Sequence, residues 1–170
     1  MNPTTITEFI TSTFSGVKVV VASSENGAPE AAWGDIFFIY DPNDNLPPHR
    51  QFPFATIVVK DYSGFDEASK LNRPGIFRLN LGLNKVTYRA ALGLTRDQHG
   101  TAEETEVTHD FAAIDKLMPH PIYGSQSWIC ILNPSPTTFQ EKVETLIETA
   151  YLKSTGALRS QAGTDEQHQS

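Results

Sequence analysis

Hydrophobic and polar positions along the chain follow two periods, one helical and one of alternating residues. Near the N-terminus Ile6, Phe9, Ile10 and Phe14 recur at the spacing of one helix face. Thr5-Ile6-Thr7-Glu8 has the form of a capping box, so a first helix is predicted over about Ile6–Phe14, ended by Gly16. Val17–Val21 is a β-branched run, and after the turn signal Asn26-Gly27 the stretch Asp35–Tyr40 supplies its antiparallel partner. The loop through Pro47-Pro48 separates this pair from a third strand, Phe54–Lys60, on which Lys60 shares a face with Phe54, Thr56 and Val58. A short helical turn within Ser63–Leu71 and a break at Arg73-Pro74-Gly75 lead to a fourth strand, Ile76–Leu81. There Phe77, Leu79 and Leu81 face one way and Arg78 and Asn80 the other.

In the second half, Asn84 is the N-cap of a short helix through Tyr88 and Leu92, closed by Gly93. Thr95–Glu106 is polar, acidic and aperiodic, and reads as a mobile surface loop. A helix is expected over Asp110–Leu117, with Phe111, Ile114 and Met118 as its apolar stripe, before a fifth strand at Trp128–Leu132. The last helix opens on a second capping-box pattern, Thr138–Glu141, and repeats apolar residues from Phe139 to Tyr151 at helical spacing. Beyond Gly156 apolar residues nearly vanish. The prediction is one α+β domain over residues 1–154 and a disordered tail over 155–170. Strands arrive in runs rather than in strict alternation with helices, which favours an about five-stranded, mainly antiparallel sheet with helices packed mainly on one face.

Composition adds constraints on setting and partners. With 170 residues, 39% of them hydrophobic, the chain can bury a core without metal or disulfide staples. Its single cysteine, Cys130, lies inside the apolar run Trp128–Leu132 and reads as a small buried hydrophobe in a reducing compartment. The start Met1-Asn2-Pro3-Thr4-Thr5 lacks a secretory pattern, and no apolar run approaches the roughly 20 residues of a membrane span, so a cytoplasmic protein without membrane contact is expected. A formal charge of −7 with scattered Lys and Arg argues against a nucleic-acid partner.

Familiar catalytic and phosphate-binding signatures are missing from the sequence, and no cofactor is expected. His120 stands out among the five histidines, because Pro119 and Pro121 stiffen the backbone on both sides of it and Tyr123 follows. A rigid imidazole beside a tyrosine suits general acid–base work, which makes His120 and Tyr123 the catalytic candidates; the alternative is a structural histidine at a corner. A metal set of His109, Asp110, Asp115 and His120 fails on geometry, since neighbours on a helix diverge by about 100°. The polar strand positions Lys60, Arg78 and Asn80 form the candidate binding floor, with the guanidinium suited to a carboxylate or phosphate. The alternative there is a solvated sheet face, or an Arg78 pair with Asp35, Asp41 or Asp61. Arg73 and the aromatic Trp128 complete the binding set.

Four long motifs resemble a bacterial family of domains of unknown function: Gly34-Asp35-Ile36-Phe37-Phe38-Ile39-Tyr40-Asp41-Pro42, then Phe52-Pro53-Phe54-Ala55-Thr56-Ile57-Val58, then Arg73-Pro74-Gly75-Ile76-Phe77-Arg78-Leu79-Asn80, and His120-Pro121-Ile122-Tyr123. The resemblance spans most of residues 5–152 and brings no activity with it. More loosely, a late strand containing Trp128 followed by a C-terminal helix is similar to the MmcQ/YjbR-like fold, which implies a DNA-binding label. The leading expectation is a domain that binds or acts on a small anionic molecule. Its rival is a non-catalytic protein-interaction module, homodimeric in one version, with nucleic-acid binding third.

Overall fold

The computed structural model describes residues 1–94 and 108–167, the last eleven of these as backbone. The acidic segment Thr95–Glu106, with His99, and the tail residue His168 lie outside the described residues. Six strands form one sheet in the order β1-β2-β3-β4-β6-β5, and every neighbouring pair is antiparallel. They are β1 (Val17–Val21), β2 (Ile36–Tyr40), β3 (Pro53–Val58), β4 (Arg78–Gly82), β5 (Met118–Pro119) and β6 (Trp128–Leu132). The α+β class is as expected, and the sixth strand is the two-residue edge β5, too short to register as a periodic run.

Helix α1 (Pro3–Thr13) starts one turn earlier than the capping-box pattern suggests: Asn2 is its N-cap, accepting from the Thr5 amide, and Pro3 occupies the first turn. Helix α2 (Lys85–Ala91) is capped by Asn84 as expected. At the C-terminal end Ser135 rather than Thr138 is the cap, and α3 (Pro136–Thr138) passes through a π-helical turn, Phe139–Val143, into α4 (Glu144–Gln167). That helix continues past Gly156 and Gly163, each of which costs only about 1 kcal/mol of helix propensity. No described helix is long and apolar enough to cross a membrane.

The helix expected over Asp110–Leu117 does not form. Ile114 instead bridges to Leu132, and Asp115, with φ of 59°, accepts from the Ser135 amide and the Thr138 hydroxyl. Tertiary partners at the start of α3 thus outweigh the local apolar stripe. The helical turn expected within Ser63–Leu71 is likewise replaced by tight turns.

The two-residue period of the strands divides the sheet into two unlike faces. Leu79 and Leu81 of β4, Ile129 and Ile131 of β6, and Ile57 of β3 face α1 and α4, where they pack with Ile6, Ile10, Val143, Ile147 and Ala150 in the main core. On the other face a smaller cluster of Val58, Leu71, Met118, Cys130 and Leu132 lies under the loops. Cys130 is buried there, and desolvation pushes its thiol up to about 12, leaving an unreactive group. A β-bulge shifts the register between Phe38 and Ile39, so that Pro53 pairs with Ile39. Phe54 therefore turns to the helix side, edge-on to Tyr151 of α4, while Thr56 faces the other way. The expected shared face of Phe54 and Thr56 is lost to this bulge.

Gly82 pairs directly with Trp128, and a Cβ at Gly82 would lie 2.8 Å from the indole ring. Ring and glycine fit together only because the side chain is missing. Gly82→Ala is expected to displace the indole and cost about 1–3 kcal/mol, as overpacking does. A lowered urea midpoint, with altered Trp128 emission in a Trp33→Phe background, is the measurement that checks it.

Candidate functional site

On the face opposite α1 and α4, β4 presents Arg78 and Asn80 to the interior of the protein. Arg78 is 0% exposed, so its charge has to be compensated within the fold. The compensation comes from the loop between β3 and β4. Asp66 takes the guanidinium in bidentate fashion, Nη1 to Oδ1 at 3.0 Å and Nη2 to Oδ2 at 2.6 Å. Nη1 also donates to the Ser69 hydroxyl at 2.8 Å, and Nε donates to Asn80 Oδ1 at 2.8 Å. Asn80 passes the chain on, its Nδ2 donating to Thr56 Oγ1 at 3.0 Å. The remaining direction of Nη2 leads to His120 Nε2, 3.2 Å away.

The loop reaches this position through its own geometry. Tyr62 and Asp66 bond to each other's backbone across a turn that contains Gly64 in the left-handed region, where a Cβ is disfavoured. Asp61 pins the base of the loop by accepting from the Leu71 amide, while its own amide donates to Asn72. Arg73 clips the far end, donating to the carbonyls of Lys70, Ser69 and Ala112. At the sheet side, the Tyr62 hydroxyl donates to the buried Asp35 carboxylate in a short hydrogen bond, and the Val59 amide donates to the same carboxylate at 2.9 Å. Burial pushes the Asp35 carboxyl above its ordinary range against these two bonds, and burial with the Asp35 bond pushes the Tyr62 phenol up as well.

His120 is held from its other side. Its amide donates to the Trp128 carbonyl at 2.9 Å, and its ring Nδ1 accepts from the amides of Ile122 and Tyr123, both at 3.0 Å. The imidazole thus caps the turn that follows it, and the Tyr123 ring lies 5.0 Å from it between centroids, inclined by 38°. Burial first, and then the Arg78 charge, push the imidazole down to about 4, against the opposing pull of Asp66. His120 is neutral at pH 7.

Between these groups lies a cavity of about 300 Å³. Thr56, Asp66, Arg78, Asn80 and His120 form its polar floor, and Phe37, Val58, Tyr62, Phe65 and Trp128 its apolar walls. Tyr123 and Phe65 stand at the rim, 39% and 58% exposed.

Of the residues singled out from sequence, the fold brings Arg78, Asn80, His120, Tyr123 and Trp128 to this one cavity. It does not bring Lys60, which leaves the strand after Val58 and donates to the Glu30 carbonyl at 2.6 Å, or Arg73, which is the loop clip. The expected floor of two cations is therefore one cation with its carboxylate. That carboxylate is Asp66, not Asp35, Asp41 or Asp61; Asp35 binds Tyr62, and Asp41 accepts from the amides of Asn45 and Leu46. Asp66, Ser69 and Thr56 were not expected at the site, whereas Tyr62 is one of the strand-flanking aromatics that could wall a pocket. Only Thr56 had a local signal, as an inward polar position on a strand. Among the described residues, no three His, Cys, Asp or Glu side chains are grouped to hold a metal ion.

Two outcomes follow from this network. Asp66→Ala leaves a buried guanidinium unpaired and is expected to cost about 3–5 kcal/mol, read as the fall in unfolding free energy in urea. The second is a pH effect. With its ordinary 6.5 in the unfolded chain and about 4 in the fold, His120 contributes stability that is complete above 6.5 and lost as pH falls toward 4. Between pH 7 and pH 5 the loss is about 2 kcal/mol. Asp35, raised in the fold, acts with the opposite sign by taking up its proton first in the folded state. His120→Asn keeps an acceptor for the two amides, and urea unfolding at both pH values should show a shallower fall for it than for the wild type.

A family model described as a family of unknown function (DUF6194) matches residues 1–163. Among curated proteins and among solved structures, nothing matches the chain. The family match takes in both helical ends of the sheet, the loop that carries Asp66, and the His120 turn, and the protein belongs to this family of unknown function.

Proposed function

We propose that this protein binds a small molecule in the cavity between β4, the Asp66 loop and the His120 turn. One observation supports the reading above others: a polar floor whose members fix one another by hydrogen bonds lies at the bottom of an otherwise apolar, open-mouthed cavity. Small-molecule sites have this composition, with apolar and aromatic walls and a few placed polar groups that set orientation. The aromatic walls suit a flat or cyclic ligand body. The floor supplies direction.

Binding is favoured over proton transfer. An imidazole held near 4 is a weak base at neutral pH, and its Nδ1 is occupied by two backbone amides. His120 therefore serves as a fixed hydrogen-bonding group. Tyr123, the other catalytic candidate, acts as a rim and stacking residue. A second reading, docking of another protein, draws on the exposed Phe65 at the cavity and on the exposed Phe52, whose neighbour Pro53 lines it. Nucleic-acid binding has less support, because Lys60, Arg73 and Arg78 all donate to groups of the protein itself.

A thermal-shift screen of the purified chain against small cyclic and aromatic compounds tests the reading. A ligand at one hundred times its Kd should stabilise the fold by about 2.7 kcal/mol. Tyr123→Ala, altered at the exposed rim, should keep the unliganded melting temperature within a few degrees and lose most of the ligand-induced shift. Val86→Ala, at an exposed position away from the cavity lining, should keep it. If no compound shifts the wild type and sizing shows self-association, the protein-docking reading replaces this one.

A further inference from the structure

The hydrogen bonds around His120 cannot all be made by one neutral imidazole. Nδ1 lies 3.0 Å from two backbone N–H groups, and Nε2 lies 3.2 Å from Nη2 of Arg78, which is also a donor. A neutral ring has one proton and one lone pair, so either Nδ1 accepts or Nε2 does. Placing the proton on Nδ1 would set it against both amides of the turn for the sake of one longer bond from Arg78. Placing it on Nε2 keeps both amide bonds and leaves Nε2–H and Nη2–H facing each other on the cavity floor. The Nε2–H thus meets a donor where it needs an acceptor, and the cavity is the side from which an acceptor can reach it.

The charge of that acceptor is set by the floor. Arg78 is the cation among the cavity-lining residues, and Asp66 already holds it through both carboxylate oxygens. Lys60 donates to the Glu30 carbonyl instead of reaching the cavity. A buried carboxylate or phosphate would thus enter a neutral floor, beside the Asp66 carboxylate, without a free countercharge to offset its desolvation.

We infer that the ligand is an uncharged molecule with a cyclic or aromatic body and a carbonyl-type oxygen that accepts from Nε2–H of His120, beside the guanidinium of Arg78. This deepens the small-molecule reading and rests on it. It replaces the anionic ligand expected from sequence with a neutral acceptor, because the guanidinium that was to hold the anion is already paired inside the fold.

The test needs no variant. In the wild-type chain with 15N-labelled histidine, the His120 ring nitrogens should show protonated Nε2 and unprotonated Nδ1 at pH 7. The probes are matched pairs, benzamide with benzoate and 2-naphthamide with 2-naphthoate, titrated at pH 7 while the ring nitrogens and backbone amides are followed. The amides are expected to move the Nε2–H resonance and to bind at least tenfold more tightly than their carboxylates. A ring protonated on Nδ1 overturns the inference, as does carboxylate binding equal to or tighter than that of the amides, and in the latter case the small-molecule reading stands. If neither class perturbs any residue of the cavity, and the compound screen is also blank, the small-molecule reading falls and the inference falls with it.

Discussion

A guanidinium buried to complete exclusion from water is the constraint around which this face of the protein is arranged. Moving such a charge out of water costs several kcal/mol unless its donors are satisfied, and Arg78 projects from the middle of a six-stranded sheet where backbone groups are already taken by the ladders. Asn80 of the same strand takes Nε, and the partners of the other guanidinium nitrogens come from outside the sheet. The long connection from β3 to β4 supplies them by folding back so that Asp66 and Ser69 reach the guanidinium. In doing so it also sets Tyr62 and Phe65 as a wall above β3. The cavity lies between this returning loop, the strands and the His120 turn.

The contrast between the two faces of the sheet comes from the same alternation. Leucine and isoleucine on one side of β4 and β6 meet the stripe of α4 in the main core. On the other side each strand places something different: Arg78 and Asn80 on β4, Trp128 and Cys130 on β6, Thr56 and Val58 on β3. Groups so unlike in size and polarity do not interdigitate into a uniform core. Gly82 accommodates the largest of them by leaving room for the indole, which keeps Trp128 on the wall and out of the floor.

Strand identity was legible because period-two alternation and β-branched runs are local signals. Arg78 and Asn80 were legible as polar positions sharing one strand face for the same reason. Their partner was not. Nothing in the sequence around Asp66 distinguishes it from Asp61 or Asp35; its role is set by a turn at Gly64 and a clip by Arg73, which only the folded loop reveals. Both misplaced helix starts share one cause. Asn2-Pro3 and Ser135-Pro136 each combine a capping side chain with a proline suited to the first turn, and in each case a capping-box pattern lying three residues further on drew the boundary inward. Lys60 failed to join the floor because β3 ends at Val58, where Asp35 takes the next amide and the chain turns away.

His120 shows why the structural and functional readings of a histidine need not compete. One ring nitrogen closes the turn after Pro121, and that role alone would account for a buried imidazole flanked by prolines. The same bonds fix which nitrogen carries the proton, and so determine what the other offers to the cavity. Burial and the neighbouring guanidinium keep the ring from taking a second proton, so the donor at Nε2 persists unchanged across the neutral range. A side chain locked in tautomer, orientation and charge is a poor proton carrier. It is a good point of recognition, because a ligand acceptor meets a donor that costs no reorganisation to present.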